Sequence, residues 1–544
     1  MSGQSIARSR SRPALPSSGQ RCDRSGQGAR RWRSGAWVLG IGLVVAGWSA
    51  QIRANPQVDT VAASAQGVWV VRQTEFVQQV LVRNVTSAAA QLQADAARRL
   101  VDAERALYDP TTFARAQRQG AERPRSYDER TSGLSNVGKD SAIERTDTVQ
   151  AGIRGKLPTG ATFEFAQDLS RRASNLLQTA DEREYRGTLT LTLKQPLLRG
   201  AGRDVTEADL RVAEREQAIE QQRLAKQTID LVGEAAGTYW QLHRTAVSLR
   251  LREEGVAVAV ALRDEVRRRT AGGFAPRVDL LEADLSIGVR ETELVRAQQE
   301  WLEAQSRVRN LLSLEAGSPE VRGFGVDGAP PVAGNDVMPA EDSPPARVLE
   351  RWPAHRIAQL RLEQEQIRLA FARNQERPDT RVELSLSGQS LTQSLGSSIE
   401  DALRRRNPGW YAGLALEMPL DNGAARSRRQ AQALRVEAAR ASLQAEALTV
   451  GNEWVTRRGQ LQAALQERRQ REREVDGRQA LVRAERESYE LGRSRLRSLI
   501  EAQDRLADSR LRLLESQVRL ELALLGLQAI GGDLLERFDV TVAP

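Results

Sequence analysis

The sequence predicts a mainly α fold with membrane-type β-strands, laid out as two copies of one unit. Three observations predict it. Apolar residues recur every seven positions through long stretches. Short segments alternate apolar with polar residues. One strand-to-helix string occurs twice, as "LKQPLLRGAGR" from Leu193 to Arg203 and as "LEMPLDNGAAR" from Leu416 to Arg426.

Composition agrees with long helices. The chain has 544 residues, 28% charged and only 4% aromatic, which suits surface-rich coils better than one thick core. The formal charge of +9 first suggests a nucleic-acid partner. Residues 1–54, however, hold nine Arg and one acid, Asp23. That segment carries +8 and leaves +1 for the rest, so no nucleic-acid partner is expected. Residues 1–54 read as an export signal: basic "RRWRSG" precedes the apolar run from Ala36 to Ala50, which is short for a membrane span. Cleavage is expected after Ala54, with Ala50 the second choice. The one cysteine, Cys22, precedes the run, so no disulfide or thiol chemistry is expected in the mature chain.

The first unit spans 55–314. Residues 72–107 are helical in pattern and end at "YDPT", where Pro110 stops the helix. Strands are expected within 111–195. "TVQAGIRGKLPTGATFEFAQ" (148–167) reads as a hairpin around Pro158 to Gly160. "YRGTLTLTLKQPLL" places Leu189, Leu191 and Leu193 on one face and Thr188, Thr190 and Thr192 on the other. A coiled-coil hairpin follows at 204–314, turning at Gly272, Gly273 and Pro276. Its descending helix carries a seam at Leu242, Ala246, Leu249, Val256 and Val260. Its return helix carries Leu280, Ile287, Leu294, Trp301 and Val308, with Ala297, Ala304 and Leu311 three places later.

A Pro/Gly-rich linker is expected at 315–346, and the second unit at 347–530. There a helix leads to strands at 380–418, then to a hairpin at 422–527 that turns at Gly492. Residues 531–544 form a tail. At an offset of 219, Leu499, Leu506, Leu513, Leu520 and Leu527 repeat the first return helix, and Gly492 repeats Gly273. That agreement marks an internal duplication.

Strands that alternate Leu with Thr or Ser carry the weak signal of a membrane barrel. So few strands cannot close a barrel, since bacterial barrels have at least eight, so several copies in cyclic symmetry must share one. The Pro and Gly at Pro196, Gly200, Pro419 and Gly423 read as strand-to-helix hinges. No Lys-Ser or Lys-Thr follows Gly200, as a phosphate loop would require. His243 and His355, the only histidines, stand far apart, and no nucleophile–base pattern occurs. No cofactor, metal site or enzymatic activity is expected.

In order and duplication, "YDPT", "LKQPLLRGAGR", "GTYWQL" (Gly237 to Leu242), "GGFAPRVDLLEAD" and "SYELGRSRLRSLIEAQ" resemble the outer-membrane efflux protein family, the TolC-like channels. The resemblance covers roughly 72–530. It implies a homotrimer with a shared twelve-stranded barrel in the outer membrane and a periplasmic tunnel of paired helices. The implied partners are a periplasmic adaptor and an inner-membrane pump or ABC transporter. The implied function is a passive conduit for efflux or type I secretion. The other readings are a periplasmic coiled-coil adaptor and a structural coiled-coil protein. The 148–167 hairpin exceeds four strands per protomer; it either extends the barrel or folds within a loop.

The resemblance also implies roles at the periplasmic tip. Tyr489 and Gly492 keep the family's Tyr-x-x-Gly spacing. Arg493 and Arg495 flank the place of a gate arginine, without deciding between them. The family's two pore-facing aspartates fall at Ser498 and Glu501, so the first is lost. Asp279 and Glu282 take those places in the first tip. Carboxylates ringing a narrow pore favour cations.

Overall fold

The computed structural model describes residues 68–131, 140–175, 184–315, 323–326, 346–392 and 407–540. They lie in the second of two units, Ala62–Pro544. The signal reading of 1–54 and most of the 315–346 linker fall outside the described residues.

Two helices, α1 (Gln73–Arg83) and α2 (Val85–Arg105), replace the single helix expected at 72–107. The break is chemical. The Asn84 Oδ1 accepts from the amides of Thr86 at 2.9 Å and Ser87 at 3.2 Å, capping α2, while its Nδ2 donates to the Leu311 carbonyl at 2.9 Å. Asn84 thereby ends one helix, starts the next and ties both to the far end of the first coil.

Four strands and two single helical turns follow: β2 (Thr111–Pro124), α3 (Tyr127–Thr131), β3 (Ser141–Lys156), β4 (Thr162–Ser174), β5 (Glu184–Pro196) and α4 (Arg203–Thr206). Then come the long helices α5 (Ala208–Ala271) and α6 (Arg277–Leu311). The second half runs α7 (Ala346–Arg351), α8 (Pro353–Gln375), β7 (Asp379–Thr392), β8 (Asn407–Glu417), α9 (Gly423–Glu490), α10 (Leu496–Gly531) and α11 (Leu534–Arg537). From the linker region, β6 (Gly323–Val326) pairs in parallel with β1 (Val68–Val71).

The other six strands form one antiparallel sheet, in the order β2-β3-β4-β5-β7-β8. The 148–167 hairpin therefore supplies two full strands inside the sheet. β3 pairs with β2 from Ser141 to Arg154, and β4 pairs with β5 from Thr162 to Arg172.

The helices pack as antiparallel pairs, α5 with α6 and α9 with α10, while α8 bridges α5 and α9 and α2 lies on α5. The most buried row of α6 is Ala283, Arg290, Ala297 and Ala304, seven apart. It runs three places after the row expected to lead. Leu280, Ile287, Leu294 and Trp301 are half-buried at its margin, whereas Val308, the last of that expected row, is buried, as are its counterparts Leu499, Leu506, Leu520 and Leu527 in α10. Alanine lets the paired axes approach closely, which explains the order of burial. In α10 the positions 219 later are Ala502, Ser509, Ser516 and Ala523, of which the first three are buried.

The main core lies where α1, α5 and both return helices meet. It gathers Phe76, Val80, Tyr239, Trp240, Leu242, Val308 and Leu525. Tyr239 and Trp240 pack edge to face at 5.3 Å. The segment expected to trail off as a tail joins this core through Leu534 and Phe538, each 1% exposed. No helix among the described residues is long and apolar enough to cross a membrane.

Candidate functional site

Directly paired strand residues share a face, so the register sorts the sheet into two surfaces. One row reads Thr112, Ile153, Phe165, Leu191, Leu386, Trp410 across all six strands. The row toward the helices adds Phe163, Leu193, Leu384 and Ala412. The rows away from them add Ala114, Ala151 and Leu189, then Ala116, Val149 and Leu169. Each lies on the same face. On β8 the apolar positions run from Leu416 to Pro408, about 27 Å along a strand at ~3.4 Å per residue. A tilt of about 40° reduces that to roughly 20 Å, close to the ~25 Å apolar band of membrane barrels. Beyond the band the same face turns charged: Arg118, Asp147 and Arg171 are paired in register, and both arginines bridge to the aspartate.

The opposite face is mainly polar, with Phe113, Ala166 and Tyr411 among its apolar members. It presents Gln150, Glu164, Thr190, Thr192, Ser385 and Ser387. Lys194 Nζ lies 2.8 Å from the Glu383 Oε1 across β5 and β7. A sheet with one apolar band and one hydrated face separates lipid from water.

The sheet meets the helices at the hinge that the duplicated string marks. Pro196 ends β5, and its own amide has no proton to donate to the ladder. The Asn374 side chain at the end of α8 then grips the passing backbone. Its Nδ2 donates to the Leu198 carbonyl at 3.0 Å, and its Oδ1 accepts from the Gly200 amide at 2.8 Å. The β3–β4 turn seats on the same place. The Gly202 amide donates to the Thr159 carbonyl at 3.0 Å, and the Thr159 hydroxyl donates to Gln195 Oε1 at 3.0 Å. Gly160 has φ +88°, and a Cβ there would stand 2.3 Å from the Gly200 carbonyl oxygen. Tyr108 of "YDPT" donates to Glu207 Oε1 at 3.0 Å, and Arg203 pairs with the same carboxylate. The second hinge is simpler. Pro419 follows β8, Gly423 is the first residue of α9, and Asn422 Nδ2 donates to the Glu376 carbonyl at 2.7 Å. Gly200 takes a left-handed φ of +79°, whereas Gly423 does not, so the two glycines are not equivalent.

At the other end of the coils the two helical turns lie side by side. Gly273 (φ +78°) and Gly492 (φ +72°) reverse the two hairpins in the region glycine favours. Gly272 caps α5, and Pro276 caps α6. Tyr489 of α9 is buried against Leu262, Val266, Ala283, Leu496 and Leu499, which come from both hairpins. The Arg269 guanidinium stacks over its ring at 4.8 Å. Burial pushes the Tyr489 hydroxyl up from its ordinary range, and that hydroxyl has no hydrogen-bond partner among the described residues. Asp279 stands in the first turn of α6. Desolvation raises its pKa first, Glu282 adds to that, and Arg269 opposes it. Glu501 is exposed and held between Arg497 at 3.2 Å and Arg505 at 3.5 Å on its own helix. Arg493 and Arg495 are exposed beside the turn.

The structure thus gathers Tyr489, Asp279 and Glu282 near Arg269, and leaves Glu501 paired along α10. Sequence reading missed Arg269, Asn374, Thr159 and Arg290. Arg290 had a legible signal: it occupies the row of Ala283, Ala297 and Ala304, where a charge in an apolar repeat is out of place. Among the described residues no group of three or more His, Cys, Asp or Glu is placed to hold a metal.

The described chain is thus an antiparallel sheet with one apolar band, standing on long antiparallel coils. Residues 162–313 match the family model described as outer membrane efflux protein. The fold is similar to that of the outer-membrane channel OprN (TM-score 0.59, 17% identity, 85% of this chain and 90% of that one). It is also similar to the CmeC outer membrane channel of Campylobacter jejuni (0.62, 12%, 85% and 86%). A third is the open state of the MtrE outer membrane channel of Neisseria gonorrhoeae (0.57, 15%, 89% and 96%). No curated protein matches the chain in sequence. Residues 162–313 thus resemble the outer membrane efflux protein family, and the described chain shares its fold with solved outer-membrane channels.

Proposed function

We propose that the chain is one protomer of a homotrimeric passive conduit, set in the outer membrane by its sheet and reaching into the periplasm with its coils. A periplasmic adaptor and an inner-membrane pump or ABC transporter supply cargo and energy, and the conduit itself catalyses nothing. One observation carries the reading. The sheet has a lipid-type face, a hydrated face and two unpaired edges, β2 and β8. Unpaired backbone cannot stand in hydrocarbon, so the sheet needs further copies to close.

The unit boundaries fit the same proposal. A signal at 1–54 exports the chain, and the units 55–314 and 347–530 each contribute strands and a coil. At the tip, Asp279, Glu282 and Glu501 form the periplasmic entrance, and Tyr489, Arg493 and Arg495 link neighbouring helices when it is shut.

Purification tests the reading. The mature protein in detergent should have the mass of a trimer and conduct ions in planar bilayers. A stable water-soluble monomer without conductance would sink it.

A further inference from the structure

We propose that three copies of this chain close an eighteen-stranded barrel, β8 of one copy pairing with β2 of the next. The family it resembles builds twelve. The inference rests on the trimer reading and departs from the family at the β3–β4 hairpin.

Four observations carry it. First, β3 and β4 are structural members of the wall. They stand between β2 and β5 and are paired on both sides along almost their full lengths. In a four-strand protomer β2 and β5 would be neighbours. Second, the apolar band continues across both strands, with Gln167 its one polar member there. Ile153, Val149, Phe163, Phe165 and Leu169 continue the row of Leu189, Leu191 and Leu193. A hairpin folded into a hydrated lumen would need no such face. Third, the hairpin is fixed from the helical side. Its turn is bonded to Gln195 and Gly202 at the hinge, so both strands stand on the tunnel.

The fourth observation concerns the edges. Six antiparallel strands alternate in direction, so β2 runs away from the helices and β8 returns toward them. A β8–β2 contact between copies is therefore antiparallel, like the five ladders within the chain. β2 and β8 lie at opposite ends of the sheet, and six strands are too few to close on themselves. The apolar positions of β8 (Trp410, Ala412, Leu414) and of β2 (Thr112, Ala114, Ala116) share one face, so a second copy continues the band. Three copies of six make eighteen. Barrel diameter grows roughly linearly with strand number, so the outer-membrane bore is about 1.5 times that of a twelve-stranded wall. Barrels of 16–18 strands enclose an open aqueous channel.

The test is a mass measurement followed by a strand count on the full mature chain in detergent. Mass first establishes the copy number. Cryo-electron microscopy of the same particles then counts strands in cross-sections of the barrel. The expected result is a trimer with eighteen. A trimer with twelve, its hairpins outside the wall, overturns the inference and leaves the trimer standing. A copy number other than three overturns both. Cysteine pairs give an independent readout, because Cys22 is the only native cysteine and lies in the leader. Ala116→Cys with Val149→Cys, and Gln167→Cys with Leu189→Cys, should each oxidise within one chain. Ala412→Cys combined in turn with Thr112→Cys, Ala114→Cys or Ala116→Cys should give a covalent trimer in at least one register. A disulfide between Ala114→Cys and Leu189→Cys, which would join β2 directly to β5, would contradict the proposal.

Discussion

Arg290 of α6 donates to the Asp504 carboxylate of α10 at 2.9 Å, across 214 positions of sequence. Its Nη1 also donates to the Gly255 carbonyl of α5 at 3.0 Å. One buried arginine thus ties both coiled-coil hairpins of a protomer together above the tip. The two partners differ in their exposure to water. Asp504 keeps 53% of its side chain exposed, whereas Arg290 keeps 11%. Removing the acid strands a buried cation, while replacing the arginine by an apolar residue restores the Ala283–Ala297 row. Asp504→Ala should therefore cost about 1.5–3 kcal/mol, the range for charge-assisted hydrogen bonds, and Arg290→Leu should be close to neutral. Thermal melting of both variants decides. Equal losses would show that the pair contributes as a bond and not through the buried charge.

Tyr489 contributes through its ring. Its hydroxyl is buried without a partner among the described residues, so Tyr489→Phe should keep or raise the melting temperature and leave conductance unchanged. Tyr489→Ala removes the centre of the tip cluster and should cost about 3–5 kcal/mol, as large aromatic truncations do. If Tyr489→Phe alone opened the channel, the hydroxyl would be the link, with a partner in another protomer.

The sequence carried the periodicities openly. Heptads gave the coils, alternation gave the strands, and the repeated Pro/Gly string gave both hinges. Whatever depends on two distant segments meeting stayed hidden. Nothing near Pro158 says that its turn seats against Gly200 and Gly202, because two strands, β4 and β5, separate them in sequence. For that reason the hairpin could be read without being placed. Asn84 hid for a different reason. Its residue type is common in loops and helices alike, and only the two amides it caps reveal the break. The tail at 531–544 showed no period because it is too short: Leu534 and Phe538 make a single i, i+4 pair, and a helical pattern needs several turns to register.

Two hinge glycines separate backbone strain from steric clash. Gly160 and Gly202 both have left-handed φ, +88° and +95°. Gly202, at ψ 156°, lies in a region essentially confined to glycine, and an alanine at either position costs about 1–3 kcal/mol in backbone strain. Only at Gly160 would the new Cβ meet backbone, at 2.3 Å, while around Gly202 nothing lies within 4 Å. Gly160→Ala should therefore lower the melting temperature of the assembly clearly more than Gly202→Ala. Equal shifts would mean that the turn does not bear on the hinge in the assembled wall.

Glu521 is a buried acid of α10, 2% exposed, with Arg537 at 3.4 Å. Burial raises its pKa above the ordinary 4.5, against the opposing pull of Arg537. The folded form then keeps its proton in a pH window where the unfolded form has lost it. Stability from this group falls as pH rises from about 4.5 through the raised folded value, and stays lower above it. Glu521→Gln removes that fall. The variant should melt above the wild type at pH 8 and level with it near pH 4. A difference that does not change with pH would refute the assignment.

The two faces of the sheet make opposite demands on adjacent residues. Leu191 lies in the apolar band, paired with Phe165 and Leu386. Thr190, one residue earlier, points to the hydrated face opposite Ala166 and Ser387. An arginine near the middle of a lipid-facing band costs about 2–4 kcal/mol, and a lumen position carries no such penalty. Leu191→Arg should therefore reduce the amount of heat-resistant oligomer recovered from outer membranes. Thr190→Arg should assemble normally and change only ion selectivity, by adding a positive charge to the bore of each protomer. The comparison holds charge, strand and depth nearly constant and varies only the face. Loss of assembly in the threonine variant with a normal leucine variant would invert the wall, placing water where the band now predicts lipid.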